Sequence, residues 1–263
     1  MNLPLELKIK SVAFQRKIRH WLQPNFKQEK FERHNSDYLI LSRPSCGRTW
    51  LRVMIGKILK ASSIAGIDHI NPQNLFYLHQ LDTALPAIKA SHEKFLGEAS
   101  YRDKKVILLV RDPRGAMLSN LTKLIKRSDE FKMHDFSHLL RSSKRLDVML
   151  EFYNDWAEYQ TIPQSFMMLK YENLVENTHR ELKRVCDFMG LKTSEDMLNS
   201  AIGSASFDQM HKFDTRSFKF RSGKSKDFVT ELNREDLEWI EKCIDESLDP
   251  SYGYNYFTDD NGL

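Results

Sequence analysis

One short apolar run constrains the fold more than any other feature of the sequence. Between Lys105 and Arg111 the chain reads VILLV, five consecutive apolar residues enclosed by charge. Such a run is typical of a strand buried on both faces, and strands of this kind belong to parallel sheets covered by helices. Asp112 and Pro113 follow, and apolar residues then recur at helical spacing. The segment therefore predicts a strand, a short loop and a helix.

The same order of elements occurs twice more. The apolar run 38–41 ends in SRPSCGR and leads into the amphipathic stretch 49–61, and a third strand is predicted over 166–171. Asn177 and Asn233 are predicted to cap two later helices. Alternating strands and helices predict an α/β fold. We expect a parallel β-sheet flanked by helices on both faces, a phosphate-binding loop after the first core strand, and ligands outside the carboxyl ends of the strands.

The 263 residues are 41% hydrophobic and predict one domain of generous size over 35–263. Before it, 1–34 reads as a basic amphipathic helical segment, which either packs on the domain edge or makes a peripheral contact with a membrane surface or partner. No apolar run approaches the roughly 20 residues that cross a bilayer, and the amino terminus lacks a secretory hydrophobic region. We therefore expect a cytoplasmic protein.

Cysteine usage and net charge exclude several classes of partner. Three scattered cysteines predict neither a disulfide framework nor a zinc site, so no metal is expected. The net charge of +4 comes from 40 basic and 36 acidic residues. That balance argues against a nucleic-acid partner and is compatible with a small anionic ligand. The oligomeric state stays open.

The loop after the first strand is the strongest candidate for an anion site. Its residues Pro44-Ser45-Cys46-Gly47 turn into a helix that begins near Arg48 and Thr49, where backbone N–H groups and the positive helix end meet. The Walker A pattern GxxxxGK[ST] is absent, so a P-loop nucleotide kinase loses its usual support but stays an alternative. Trp50 offers a flat surface for a nucleobase.

With these motifs in place, the sequence resembles the sulfotransferases that use 3'-phosphoadenosine 5'-phosphosulfate (PAPS). The family loop T/S-Y-P-K/R-S-G-T/N-T-W-L is similar to 42–51, and the strand followed by R-x-P-x-D-x-x-x-S is similar to 111–119. Y-E-D/N-L with F-L/M-G-L matches 171–174 and 188–191, and R-K-G-x-x-G-D-W survives in part at 221–228. The resemblance covers 38–228.

The resemblance implies a role for each motif. His92, in KASHE, would be the general base that deprotonates an acceptor hydroxyl or amine, and Glu93 a second base or an orienter of His92. Arg48 would stabilise the charge on the leaving phosphate. PAPS would be the donor and adenosine 3',5'-bisphosphate (PAP) the product. The residues implied to bind the nucleotide are Pro44, Ser45, Cys46, Gly47, Arg48, Thr49, Trp50, Arg111, Ser119, Tyr171, Phe207, Arg221, Ser222 and Gly223.

One departure from the family pattern leaves the catalytic cation and the function open. Ser45 stands where the family has Lys or Arg, so Arg48, Arg43 or Lys89 would have to supply that charge. A non-catalytic protein that binds PAPS or PAP, or a membrane-surface protein, is therefore a second alternative. The acceptor is also open. Aromatic residues over 146–159 with Phe76, Tyr77 and Phe95 indicate either core or an apolar pocket, while basic residues over 123–145 could hold an anionic glycan.

Overall fold

A computed structural model describes residues 24–63, 66–127, 135–206, 209 and 228–255. Four strands form its sheet: β1 (Tyr38–Ser42), β2 (Ile88–Ser91), β3 (Lys105–Val110) and β4 (Ser165–Lys170). The α-helices in this part of the chain are α1 (Pro24–His34), α2 (Arg48–Ser62), α3 (Leu75–Leu81), α4 (Pro113–Arg127), α5 (Phe136–Ser142), α6 (Arg145–Tyr159), α7 (Tyr171–Glu176), α8 (Thr178–Phe188), α9 (Glu195–Ser204), α10 (Phe228–Glu231) and α11 (Arg234–Ser247). Two short 3₁₀ turns lie at Glu98–Ser100 and Pro250–Tyr252.

The sheet is parallel throughout, in the order β2-β1-β3-β4. All five residues of β1 are buried, as are the last five of β3. Burial of this kind requires cover on both faces, which explains why these strands read as continuous apolar runs and not as alternating ones. The predicted α/β fold, with a parallel sheet flanked by helices, is confirmed.

The strand order also fixes where a ligand can bind. The chain leaves β1 for β2 on one side and leaves β3 for β4 on the other. Because crossovers between parallel strands are right-handed, the helices of the two connections lie on opposite faces of the sheet. A crevice therefore opens between the carboxyl ends of β1 and β3, and crevices of this kind are where open α/β sheets bind ligands.

The aromatic segment 146–159 forms core. Helix α6 places Leu146, Phe152, Tyr153 and Trp156 in the interior, each at most 1% exposed. Phe95 stacks on Tyr159 with ring centroids 4.3 Å apart. The apolar-pocket interpretation of these side chains is therefore wrong, because their rings are used in packing against one another.

The structure differs from the predicted secondary structure at three places. Strand β2 was not predicted, because four residues reading IKAS at a sheet edge carry little apolar signal. Tyr171 begins a helix and does not end a strand. Asn177 holds the N-cap position of α8 without a side-chain capping bond, whereas the Asn233 side chain accepts from the Asp236 N–H as predicted.

Helix α1 is the described part of the basic amino-terminal segment, and it packs against the domain. Phe31 meets Phe76 edge to face, Glu32 pairs with Lys89, and Arg33 pairs with Glu93 at 2.8 Å. Residues 1–23, the rest of the segment 1–34 for which a membrane or partner contact was predicted, lie outside the described residues. Within the described ranges no helix is long and apolar enough to cross a bilayer.

Candidate active site

The loop between β1 and α2 presents backbone donors to the crevice. Its first helical hydrogen bond runs from the Leu51 N–H to the Gly47 carbonyl, 3.1 Å away. The N–H groups just before Leu51 have no preceding turn to bond to, and Gly47 supplies no side-chain cap. The start of this 15-residue helix is therefore a place where an anion is stabilised by N–H groups and by the helix dipole.

Glycine is needed at 47 for two reasons. Its φ of +91° is in the left-handed region, and a Cβ at this position would lie 2.6 Å from Cδ2 of Tyr171. The Tyr171 ring thus lies directly against the loop. It also meets the Trp50 ring at a centroid distance of 6.4 Å, and Trp50 Nε1 donates to the Ala205 carbonyl. These contacts make Tyr171 and Trp50 part of the loop's support.

Arg111 brings the end of β3 to the same loop. Its Nη1 donates to the Ser45 carbonyl at 2.9 Å, and its guanidinium carbon lies 4.3 Å from the centre of the Tyr171 ring. The guanidinium also lies over Gly115 in the first turn of α4, where an added Cβ would be 3.4 Å from two of its nitrogens. Ser119 follows one turn later on the same helix face and is 8% exposed.

Two side chains that sequence analysis did not assign to the site hold these loops in place. The Tyr153 hydroxyl accepts from the Arg111 N–H and donates to the Arg111 carbonyl, both at 2.9 Å, and lies 3.5 Å from the Cys46 sulfur. Glu172 accepts from the Asp112 N–H and from the Tyr254 hydroxyl. Burial raises the pKa of the Cys46 thiol to about 11, so the thiol stays protonated and serves as packing.

His92 lies just beyond β2 and is oriented by β1. Its Nδ1 donates to the Ser42 carbonyl at 2.7 Å, so Nε2 is the nitrogen left to accept a proton. Burial of the ring, followed by the positive charge of Arg48, lowers the pKa of His92 to about 3. The residue nevertheless keeps part of its surface exposed, as a group that must reach a substrate requires. His92 is therefore neutral and accessible at neutral pH.

Among the neighbouring charges, that of Arg48 lowers the pKa of His92 most. Burial, and then the neighbouring charge of Arg52, lowers the pKa of Arg48 to about 9, so the guanidinium stays positive at neutral pH. Its Nη1 is buried and has no hydrogen-bond partner among the described residues. A buried donor left without a partner costs about 1–3 kcal/mol, more when charged, so this nitrogen is placed to meet an anion.

Lys89 and Arg43, the other cations that could supply this charge, each already bond to a protein group through one nitrogen. Lys89 bonds to Glu32 at 2.5 Å, and Arg43 donates to the His92 carbonyl while lying over the Phe152 ring. Glu93 receives a hydrogen bond from Arg33, so its carboxylate is tied to α1 and the Ser42 carbonyl, not Glu93, orients His92.

Unpaired cationic donors concentrate around the loop. Ser42 Oγ, Arg43 Nε, Arg48 Nη1 and Arg111 Nε are buried and lack partners in the described ranges. Every guanidinium nitrogen with this property in that part of the chain belongs to these three arginines. Three charged donors of this kind fit a ligand with several negative charges. The same ranges contain no group of three or more His, Cys, Asp or Glu that could hold a metal ion.

Residues 35–251 match the sequence model of the family described as "Sulfotransferase domain". The chain belongs to the sulfotransferase domain family. The match spans every strand and the loops after β1, β2 and β3. The resemblance to sulfotransferases that the motifs indicated is therefore confirmed, and the protein is a sulfotransferase.

Curated relatives of this sulfotransferase are distant but cover most of its length. Cytosolic sulfotransferase 14 of Arabidopsis thaliana is 24% identical, and the alignment covers 84% of this chain and 77% of the relative. Sulfotransferase 2A1 of Homo sapiens is 22% identical over 199 residues, covering 70% and 69%.

Solved structures agree on the fold. Mouse sulfotransferase SULT7A1, complexed with PAP, superposes with a TM-score of 0.59 at 16% identity, covering 81% of this chain and 84% of that one. Retinol dehydratase in complex with androsterone and inactive cofactor PAP gives a TM-score of 0.58 at 18% identity, with 80% of each chain covered. At this identity the likeness shows a shared α/β architecture.

Part of the predicted site of this sulfotransferase lies outside the described residues, namely Phe207, Arg221, Ser222 and Gly223. Of the others, 44–50, His92, Arg111, Ser119 and Tyr171 lie around the crevice, whereas Glu93 is paired with Arg33 of α1. Tyr153, Glu172 and Arg33 were missed, because their roles come from pairings between distant parts of the chain. The available sequence signal for Glu172 was that it belongs to the Tyr171-Glu172 motif and that its partner Asp112 belongs to the Asp112-Pro113 motif.

Proposed function

We propose that this sulfotransferase moves a sulfuryl group from PAPS to an acceptor hydroxyl or amine, with His92 as the general base. The observation that carries the proposal is the concentration of unpaired guanidinium nitrogens from Arg43, Arg48 and Arg111 around the loop after β1. A donor with phosphate at both ends of the nucleoside would satisfy them. PAP in the solved complexes of SULT7A1 and retinol dehydratase supports that choice.

The residues would divide the donor between two ends of the crevice. The N–H groups at the start of α2, with Thr49 and Arg48, would hold the 5'-phosphosulfate. Arg111 and Ser119 would hold the 3'-phosphate, and Arg221, Ser222 and Gly223 would add to it. A Cβ added at Gly115 would lie 3.4 Å from Phe228 as well as from the Arg111 guanidinium, so the end of the last of these motifs lies near Arg111, which supports this arrangement. Trp50, Tyr171 and Phe207 would surround the adenine.

His92 would take the acceptor proton on Nε2. As the acceptor oxygen or nitrogen bonds to sulfur, the bond from sulfur to the 5'-phosphate oxygen breaks, and the electron pair leaves with PAP. The Ser42 carbonyl holds Nδ1–H and so fixes the basic nitrogen on the far side of the ring. The negative phosphosulfate would offset the charge of Arg48 and make His92 a stronger base in the complex than in the free protein.

Arg48 would replace the cation that Ser45 cannot supply. Its buried, unpaired Nη1 supports this assignment, whereas Lys89 is paired with Glu32 and Arg43 is held by the His92 carbonyl. Fixed charge in a partly buried crevice is well suited to stabilise charge that develops on a leaving phosphate. The crevice thereby supplies positive charge through side chains and helix dipole.

Two other functions were considered. A nucleotide kinase would need the Walker A lysine, and Arg48 stands after Gly47 instead. A protein that only binds PAPS would keep the crevice but show no turnover.

A cytoplasmic location is proposed because one of the similar proteins is named a cytosolic sulfotransferase. The membrane or partner contact of 1–34 stays a prediction.

The test uses PAPS labelled in the sulfuryl group, offered with a panel of hydroxyl and amine acceptors and no added metal. We expect label to appear in an acceptor in step with formation of PAP. Tight PAP binding without transfer to any acceptor would show a non-catalytic binding protein. Transfer from ATP with dependence on magnesium would support the kinase.

A further inference from the structure

We propose that the acceptor is a neutral, hydroxyl-rich molecule of saccharide type, which binds in a polar cleft beside β2. The inference deepens the proposed function and rests on it, because the cleft serves as an acceptor site only if transfer takes place at His92. It differs from both acceptor classes left open by the sequence, an apolar alcohol and an anionic glycan.

The cleft lies between α1, the start of α3 and the edge strand β2, and its volume is about 270 Å³. Polar side chains dominate its lining: Gln28, Glu32, Arg52, Asn74, Gln80 and Lys89. This volume is near the lower end of the range for small-molecule pockets and suits a group about as large as one sugar ring.

The cleft lies along the strand that precedes the proposed base. Lys89 and Ala90 form part of its wall, and the same strand ends at Ser91, immediately before His92. Arg52, also in the wall, lies one helical turn after Arg48 on α2, and the charges of both arginines act on the His92 ring. A molecule that fills the cleft and extends along β2 past Ala90 would therefore approach His92.

Carboxamides are the distinctive feature of the lining. Gln73, Asn74 and Gln80 each carry a donor and an acceptor, as sugar hydroxyl groups do, whereas the Gln28 amide already donates to Glu32. Asn74 holds the N-cap position of α3, yet its side chain makes no capping bond there. Tyr77, 45% exposed, adds a flat ring at the wall on which the apolar face of a sugar could rest.

The lining disfavours an apolar alcohol. Leu75, Phe76 and Ile88 border the cleft, but each is at most 7% exposed and offers little contact area. An apolar acceptor would cover the carboxamides without bonding to them, and an unpaired buried polar group is costly.

The lining also disfavours an acidic glycan. Lys89 is neutralised by Glu32, and Arg52 donates from Nε to the Gln73 carbonyl at 2.9 Å. The positive charges of the cleft are thus already engaged by protein groups. We expect acceptor binding to depend only weakly on salt.

The experiment titrates the full-length protein, saturated with PAP, with a panel of methyl hexopyranosides and with cyclohexylmethanol, and follows binding by calorimetry and by ligand-observed NMR. At least one hexopyranoside should bind more tightly than the apolar alcohol. Asn74→Leu and Gln80→Leu should each weaken sugar binding about 2- to 12-fold, the loss expected for one hydrogen bond. Asn199→Leu, the same change as Asn74→Leu on an exposed face of α9, is the matched control and should change nothing.

Tighter binding of cyclohexylmethanol, or no effect of Asn74→Leu and Gln80→Leu on sugar binding, would overturn the inference. Acidic oligosaccharides that bind more tightly than neutral sugars and lose affinity steeply with salt would overturn it too. Failure of the proposed function looks different: PAP itself would not bind, or labelled PAPS would transfer its sulfuryl group to none of the sugars, alcohols or amines.

Discussion

His92 combines two properties that a general base in this position needs. The Ser42 carbonyl fixes Nδ1–H, and the surrounding burial and positive charge keep the ring neutral. A histidine in water would be partly protonated near pH 6.5 and would have no fixed tautomer. The neighbours of His92 therefore determine both which nitrogen is basic and over what pH range it is available.

Replacement of His92 by Asn tests its role as the base. Asn keeps an amide donor near the position of Nδ1 but has no basic nitrogen, so kcat should fall about 10²- to 10⁴-fold while PAP affinity stays nearly intact. Steady-state kinetics and calorimetry measure the two quantities. Glu93→Gln tests the alternative base: a large loss there, with near-full turnover in His92→Asn, would move the role to Glu93.

The lowered pKa of His92 also predicts the pH profile. A depressed pKa means that the neutral, basic form persists as pH falls through 6.5, so kcat/KM for PAPS, which reports the protein before the phosphosulfate has bound, should show no acid limb centred there. The limb should lie at lower pH and should move upward in Arg48→Met, because that variant lacks a positive charge that holds the pKa down. An acid limb near 6.5 that Arg48→Met leaves in place would contradict this account.

At the scale of elements, two loops form one rigid anion site. Arg111 bonds to the Ser45 carbonyl, Tyr153 bonds to Arg111, and the Tyr171 ring fills the space in front of Gly47. The loop after β1 and the loop after β3 thus hold each other in place. We expect a change in one loop to weaken ligand binding at both.

Gly47→Ala should disrupt this arrangement. The added methyl would lie 2.6 Å from Tyr171 and would also strain a backbone with φ of +91°. Gly190→Ala is the matched control, because φ is +68° there and no atom lies within 4 Å of the new methyl. Both variants should lose about 1 kcal/mol of unfolding free energy from backbone strain, but only Gly47→Ala should lose PAP binding by tenfold or more. Equal PAP affinity in the two variants would show that the contact with Tyr171 is unimportant.

The features that could be predicted from the sequence are those formed by contiguous residues. Strands β1 and β3 could be predicted because burial on both faces leaves an unbroken apolar run, and the loop after β1 because its glycine and helix start adjoin. Edge strand β2 and the contacts of Tyr153 could not, since one buried and three half-buried residues, or a hydroxyl that bonds 42 residues away, leave no local pattern. The aromatic residues of α6 read equally well as core or pocket until their neighbours were known.

At the scale of the whole molecule, α1 joins the amino-terminal segment to the site. Glu32 and Arg33 are adjacent in sequence, and they pair with Lys89 and Glu93 on either side of His92. Through these ion pairs, α1 engages the Lys89 and Glu93 side chains and so holds both charges away from His92 and Arg48. It also forms one wall of the polar cleft. The part of 1–34 that the structure describes is thus an integral part of the catalytic domain.

The crevice between β1 and β3 should bind a nucleotide that carries phosphate groups at both its 5' and 3' positions. Calorimetric titration with PAP and with AMP tests it most directly, because the two ligands differ only in the 3'-phosphate. PAP should bind far more tightly than AMP to the unmodified protein. Arg111→Met should remove about 1.5–3 kcal/mol of that preference, roughly 10- to 150-fold. Equal affinity for PAP and AMP in the unmodified protein would contradict the account.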